Sequence, residues 1–154
     1  MLICDLFNIQ RNIDSNISIN ENLNNYKITA RKNLELHIKI SDLANETKCY
    51  TYTNDSDLEI DEDIVLRKYI SCFQQILSIG IDNKYDQVLE KIDVAPSDYC
   101  LSDQFLNLYI DINDLIISKS EDHFETLCED FLSIGLQLGF EENKIINAFK
   151  EYAA

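Results

Sequence analysis

The chain has 154 residues, 45% of them hydrophobic, and carries a formal charge of −15 from 28 acidic and 13 basic residues. That length and hydrophobic fraction argue against a disordered chain and are typical of one domain, so we expect a single domain over residues 1–154. The acidic balance argues against binding to nucleic acid or to an anionic membrane surface, and no apolar run approaches the roughly 18 residues that cross a bilayer.

The beginning of the chain and its cysteines indicate the compartment. The opening MLICDLFNIQRNID lacks the basic lead and the long apolar stretch of a signal peptide, so we expect a cytoplasmic protein. The five cysteines lie far apart with no C-x-x-C pair. This spacing predicts reduced, mostly buried thiols instead of a disulfide framework or a zinc site.

Hydrophobic periodicity predicts an all-α bundle of five or six helices, with no sheet. The chain has only three glycines and one proline, the residues that most often break helices and form turns, and this favours long helices. The predicted helices run from about Leu2 to Ile17, Ile28 to Lys48, Ile64 to Ile81, Asp103 to Ile117, Glu121 to Leu138, and Glu141 to Tyr152.

Apolar stripes on these segments predict the core. In the first segment the stripe consists of Leu2, Leu6, Ile9 and Ile13, and in the second of Leu36, Ile40, Leu43 and Thr47. The third carries the broadest face, and we expect it to form the core with the second and fifth segments. Largely buried side chains are expected at Phe73, Ile76, Leu77, Leu127, Phe131 and Ile134. Gly139 suits a helix C-terminus, and Ser97 or Ser102 is expected to cap the fourth helix.

An acidic loop from Asn54 to Asp63 separates the second and third predicted helices. It does not fit an EF-hand, because Ile60 and Leu66 stand where that motif needs glycine and glutamate. We interpret it as a solvated loop.

On the second predicted helix, Asp42 and Glu46 lie four residues apart and share a face. Two carboxylates so placed can share a divalent cation such as Mg²⁺. The spacing alone is more typical of a solvated helix face. Both interpretations therefore stay open on this evidence.

Four stretches of the chain are similar to sequences that are typical of one protein family. Residues 41–49, SDLANETKC, are similar to that family's ELANETRC, and residues 66–81, LRKYISCFQQILSIGI, to its LEEYVDCLHFLLSLGL. The opening Leu6 to Asp14 fits its L-x-x-L-Q-x-x-L-D start, and residues 123–140 with 145–149 resemble its last helices. The chain therefore resembles the dimeric all-α dUTP pyrophosphatases, which belong to the superfamily that includes MazG, over most of its length and in the family's order.

The resemblance implies a dUTP diphosphatase site with E-x-x-E and E-x-x-D motifs that hold Mg²⁺. The first motif falls on Lys39 and Asp42, and the second on Lys68 and Ser71. Only Asp42 remains acidic, and a lysine ammonium has no lone pair for a metal. We expect Lys39 and Lys68 to supply positive charge in place of Mg²⁺, pairing with Asp42 and Glu46 across the bundle.

The resemblance also bears on substrate and assembly. Gln10 stands at a position that the family uses near the uracil ring, although a polar residue beside a core stripe explains it equally well. The family's FKFWS stretch becomes YTYTN at residues 50–54, and its basic C-terminal tail, which helps to close over the nucleotide, has no counterpart. The family is dimeric, so we expect a homodimer.

Three functions follow as hypotheses. The first is a catalytically degenerate family member that needs no cofactor and acts as a dimeric nucleotide- or protein-binding module. The second is an active Mg²⁺-dependent enzyme converting dUTP to dUMP and pyrophosphate, in which Asp42 and Glu46 are the candidate metal ligands. The third is a decoy whose acidic surface binds a basic protein partner.

Overall fold

A computed structural model describes residues 1–54 and 58–154, and in these ranges it contains six α-helices and no β-strand. The helices are α1 (Cys4–Ser15), α2 (Asn25–Thr47), α3 (Glu62–Asp82), α4 (Leu101–Ile117), α5 (Glu121–Gln137) and α6 (Glu142–Tyr152). The predicted all-α class and all six predicted helices are confirmed, with boundaries that differ by up to three residues. None of the helices in the described ranges is long and apolar enough to cross a membrane.

The core is organised around α3, which packs against α1, α2, α5 and α6. The six side chains predicted to form the centre of the core are confirmed, since none of them has exposed surface: Phe73, Ile76, Leu77, Leu127, Phe131 and Ile134. The Phe131 ring stacks on Tyr69 with centroids 4.3 Å apart, and the Tyr69 hydroxyl donates a hydrogen bond to the Phe131 carbonyl oxygen at 3.0 Å. A buried tyrosine is therefore satisfied inside an otherwise apolar core.

Side-chain caps fix the starts of three helices. Asn24 caps α2, Ser120 caps α5, and the Asp61 carboxylate accepts hydrogen bonds from the first backbone N–H groups of α3. Asp61 is thus one acid of the predicted acidic loop that has a structural role, whereas Asp55 and Asp57 lie outside the described residues.

The start of α4 and the end of α5 test two further predictions. Gly139 follows α5 with a φ of 84°, so the predicted glycine at this helix C-terminus is confirmed. The predicted cap of α4 was wrong, because Cys100 occupies that position and its side chain forms no capping hydrogen bond with the backbone of the first turn. Ser102 already lies inside the first turn, and the Ser97 hydroxyl accepts from the backbone N–H of Tyr99 at 3.1 Å within the preceding loop.

The first three residues correct the predicted stripe of α1. Leu2 is 68% exposed, while Met1 and Ile3 are buried. Leu2 forms an isolated antiparallel bridge with Lys91, and the Ile3 N–H donates to the Glu90 oxygen at 3.0 Å. Neighbouring side chains in an extended segment point to opposite sides. The helical spacing therefore predicted burial for Leu2 when its two neighbours are the buried residues.

The cysteines also differ from the prediction that most are buried. All five are free thiols, but only Cys72 and Cys128 are buried. The reduced state fits the absence of closely spaced pairs.

Candidate functional site

The helices α2 and α3 carry the four positions at which the resemblance places metal ligands. Contacts between them run in opposite directions along the chain, so the helices are antiparallel: Glu46 pairs with Lys68, and Lys39 donates to Gln75 Oε1 at 3.5 Å. This pairing brings both motif segments to one interhelical seam.

Both motif lysines pair with glutamates. Lys68 Nζ lies 3.2 Å from Glu46 Oε1, so the expected contact across the bundle is present. Lys39 Nζ lies 3.5 Å from Glu35 Oε1 on its own helix, and the expected pairing with Asp42 is not formed. A glutamate four residues before a lysine is the favourable orientation for a helical ion pair, which explains why Glu35 takes this lysine and leaves Asp42 exposed.

The buried thiol of Cys72 lies where the charges of the motif converge. Burial is the main cause that raises its pKa to about 12. The positive charges of Lys39 and Lys68 lower the pKa, and the negative charge of Asp42 raises it. Three of the four motif side chains therefore influence the pKa of the same buried thiol at the seam.

The side chains at this seam do not fit a magnesium site. Within residues 1–54 and 58–154, no three His, Cys, Asp or Glu side chains come close enough together to hold a metal ion. Mg²⁺ requires a near-octahedral set of oxygen ligands, but the Glu46 carboxylate faces the Lys68 ammonium. Asp42 and Glu46 are thus adjacent along α2 without forming a ligand set.

A cavity of about 370 Å³ lies between α1, α2 and α3 and is called here the Gln10 cavity. Its polar lining includes Gln10, Asp14, Lys32, Glu35, Lys39, Gln74, Gln75, Ser78 and Asp82, and its apolar lining consists of Ile13, Ile17, Ile19 and Ile28. Ile17 and Ile19 are more than half exposed, so they form an apolar rim that a bound ring would cover.

Ionic groups in the Gln10 cavity are largely paired with one another. Lys32 Nζ donates to Asp82 Oδ2 at 2.5 Å and to Ser78 Oγ at 2.6 Å. The Ser78 hydroxyl in turn donates to Asp14 Oδ2 at 2.9 Å. Because these charges already have partners, this part of the cavity is better suited to an uncharged polar ring than to a charged group.

The Gln10 amide has one hydrogen-bonding group in use and one without a partner. Its Nε2 donates to Asp14 Oδ1 at 2.8 Å. Its Oε1 is buried and accepts no hydrogen bond in the structure, and the residue is only 3% exposed. A buried acceptor without a donor is unfavourable by about 1–3 kcal/mol, so a ligand that brings an N–H group would gain that interaction.

A second cavity, of about 490 Å³, opens between α3 and α6 and is called here the Arg67 cavity. Its lining includes Arg67, Ser71, Gln74, Glu151 and Tyr152. Gln74 lines both cavities, so they are neighbours on the two sides of one side chain. The fourth motif position, Ser71, thus faces a cavity away from the lysine pairs.

The all-α fold agrees with a sequence comparison. A model of the dUTPase family matches residues 3–153. The chain belongs to this all-α dUTPase family. No curated protein and no solved structure matches it at a significant level.

Several residues that line the two cavities were not singled out from the sequence. Asp14 stands four residues after Gln10, a spacing at which side chains on one helix meet, and that signal was available. Lys32, Gln74 and Arg67 carried no comparable signal, because their placement depends on how α1, α3 and α6 pack.

Proposed function

We propose that this dUTPase-family member binds a deoxyuridine nucleotide, with the uracil ring in the Gln10 cavity, and does not hydrolyse it by the family's Mg²⁺ chemistry. The observation that carries the proposal is the unpartnered, buried acceptor of Gln10. Uracil has an N–H donor at N3, whereas cytosine has an acceptor there. The Gln10 acceptor is therefore complementary to uracil and repels cytosine.

The orientation of the Gln10 amide supports this preference. Its Nε2 is held by Asp14, and Asp14 also accepts from the Ser78 hydroxyl. Rotating the amide to present its NH₂ group to a ligand would place the Gln10 oxygen against a carboxylate oxygen. The bond to Asp14 therefore holds the amide in the orientation that leaves Oε1 as the free acceptor.

Calorimetric titration tests the base preference. We expect deoxyuridine to bind at least about tenfold tighter than deoxycytidine, because the wrong base leaves buried polar groups unpaired. Gln10→Met should bring the two affinities together, while Gln137→Met, at an exposed position near the end of α5, should leave them apart. Equal binding of the two nucleosides, or no binding of either, would refute the uracil assignment.

We also propose that the protein is a homodimer through α2 and α4. These helices pack together, with His37 stacked on Tyr109 at 5.9 Å. Their outer faces expose large apolar side chains: Leu34 (60%), Ile38 (53%), Leu106 (65%) and Ile110 (58%). Exposed apolar side chains on two neighbouring helices are typical of an interface, and the dimeric family that the sequence resembles makes a second copy the fitting partner.

Light scattering at micromolar concentration should give the mass of a dimer. Leu106→Glu places a charge on this face and should shift the mass towards that of a monomer. Val88→Glu introduces the same charge at another exposed apolar position outside the helices and should leave the dimer intact. A monomeric unmodified protein would contradict the proposal.

A further inference from the structure

We infer that the Arg67 cavity binds the phosphate groups of the nucleotide directly, without a metal ion. This inference rests on the deoxyuridine nucleotide binding proposed above. It is argued from the hydrogen-bond donors among the residues that line the cavity.

Three donors face this cavity. The Arg67 guanidinium lies over the Tyr152 ring, 4.8 Å from its centroid, and forms no ion pair with any residue that the structure describes. Ser71 offers a hydroxyl group. The Gln74 Nε2 group is buried and has no acceptor. A phosphate oxygen would supply the acceptor that the Gln74 amide lacks, and Arg67 would supply the charge.

The same side chains cannot serve as metal ligands. Neither an arginine guanidinium nor an amide N–H has a lone pair to offer a cation. Glu151 contributes a carboxylate to the lining; it is exposed, as Arg67 is, so water and salt screen both charges, and no ion pair joins the two side chains in the part of the chain that the structure describes. The lining therefore favours an anion over a cation.

The position of Gln74 connects the two cavities. A ligand with an uncharged ring against Gln10 and an anionic group against Arg67 would pass over Gln74, which lines both. Lys39 lines the Gln10 cavity as well, and its two contacts at 3.5 Å are long enough to be exchanged for a phosphate oxygen. A nucleotide with a polyphosphate chain has this combination of groups.

Calorimetry with a non-hydrolysable α,β-imido analogue of dUTP tests the inference. In EDTA, the analogue should bind at least about tenfold tighter than deoxyuridine, since hydrogen bonds to charged groups are the strong ones. Adding Mg²⁺ should not increase its affinity. Arg67→Gln should remove most of the difference in affinity between the analogue and deoxyuridine while leaving the affinity for deoxyuridine unchanged. Arg31→Gln, at an exposed position on α2, removes the same charge and should leave the gain intact.

Other results would overturn the inference. These are an analogue that binds no tighter than deoxyuridine, a gain that appears only with Mg²⁺, and an equal loss in both arginine variants. Inorganic tripolyphosphate separates this inference from the proposed function, because it does not require the uracil cavity. Its binding in EDTA, lost in Arg67→Gln, would support the phosphate site even if deoxyuridine failed to bind. Its failure to bind would overturn the phosphate site and leave the uracil proposal standing.

Discussion

Replacing Phe131 with alanine should lower the free energy of unfolding by about 3–5 kcal/mol, which is the range for removing a fully enclosed aromatic ring. Phe131 has no exposed surface. Its ring stacks on Tyr69 at 4.3 Å and packs against Phe73 at 5.7 Å. The variant would leave a hole between α3 and α5 that rigid neighbouring rings cannot fill.

Urea denaturation followed by circular dichroism measures this loss. Protein concentration must be equal for all variants, because an oligomer gains apparent stability with concentration. Tyr52→Ala provides the control, since Tyr52 is 95% exposed and its removal should change the free energy by less than about 0.5 kcal/mol. A loss below about 1 kcal/mol in Phe131→Ala would contradict the central role of this ring.

The sequence predicted the helices and the centre of the core because both follow from a strong local pattern. The apolar face of α3 repeats at helical spacing over the whole helix, so its buried side chains could be identified one by one. The same rule failed at Leu2, where the backbone is extended and pairs with residues 90–92. That pairing depends on a distant segment, which periodicity does not reveal.

Groups that interact between helices were harder to predict. Asp111 lies in the middle of α4 with no local sign of special chemistry, but it is buried. Burial is the main cause that raises the pKa of Asp111 well above its ordinary value. A hydrogen bond with Asp130 and the negative charge of Asp130 raise it further. Lys39 is a different case, since its pairing with Glu35 follows from their spacing of four residues on α2, a local signal that the prediction did not use. The resemblance located the seam, but not the pairs formed within it.

The unmodified protein should release no pyrophosphate from dUTP in a Mg²⁺-dependent manner. Where the family is expected to place four metal carboxylates, this chain has Lys39, Lys68 and Ser71 beside the remaining Asp42. The metal in such sites neutralises phosphate charge and lowers the pKa of the attacking water. Replacing two ligands by cations removes both effects, so turnover should stay near the uncatalysed background in a pyrophosphate-release assay.

The triple variant Lys39→Glu, Lys68→Glu, Ser71→Asp should regain Mg²⁺ binding by calorimetry. It restores carboxylates at three positions and releases Glu46 from the Lys68 ammonium that now lies 3.2 Å away. A variant with Lys27→Glu, Lys150→Glu and Ser102→Asp has the same change in charge at positions away from the seam and should not bind the ion. Regained binding need not restore turnover, because catalysis also requires the nucleotide to be enclosed and the water positioned. Rapid dUTP hydrolysis by the unmodified protein, abolished by Asp42→Ala, would instead make Asp42 a metal ligand and refute the structural role assigned to the lysines.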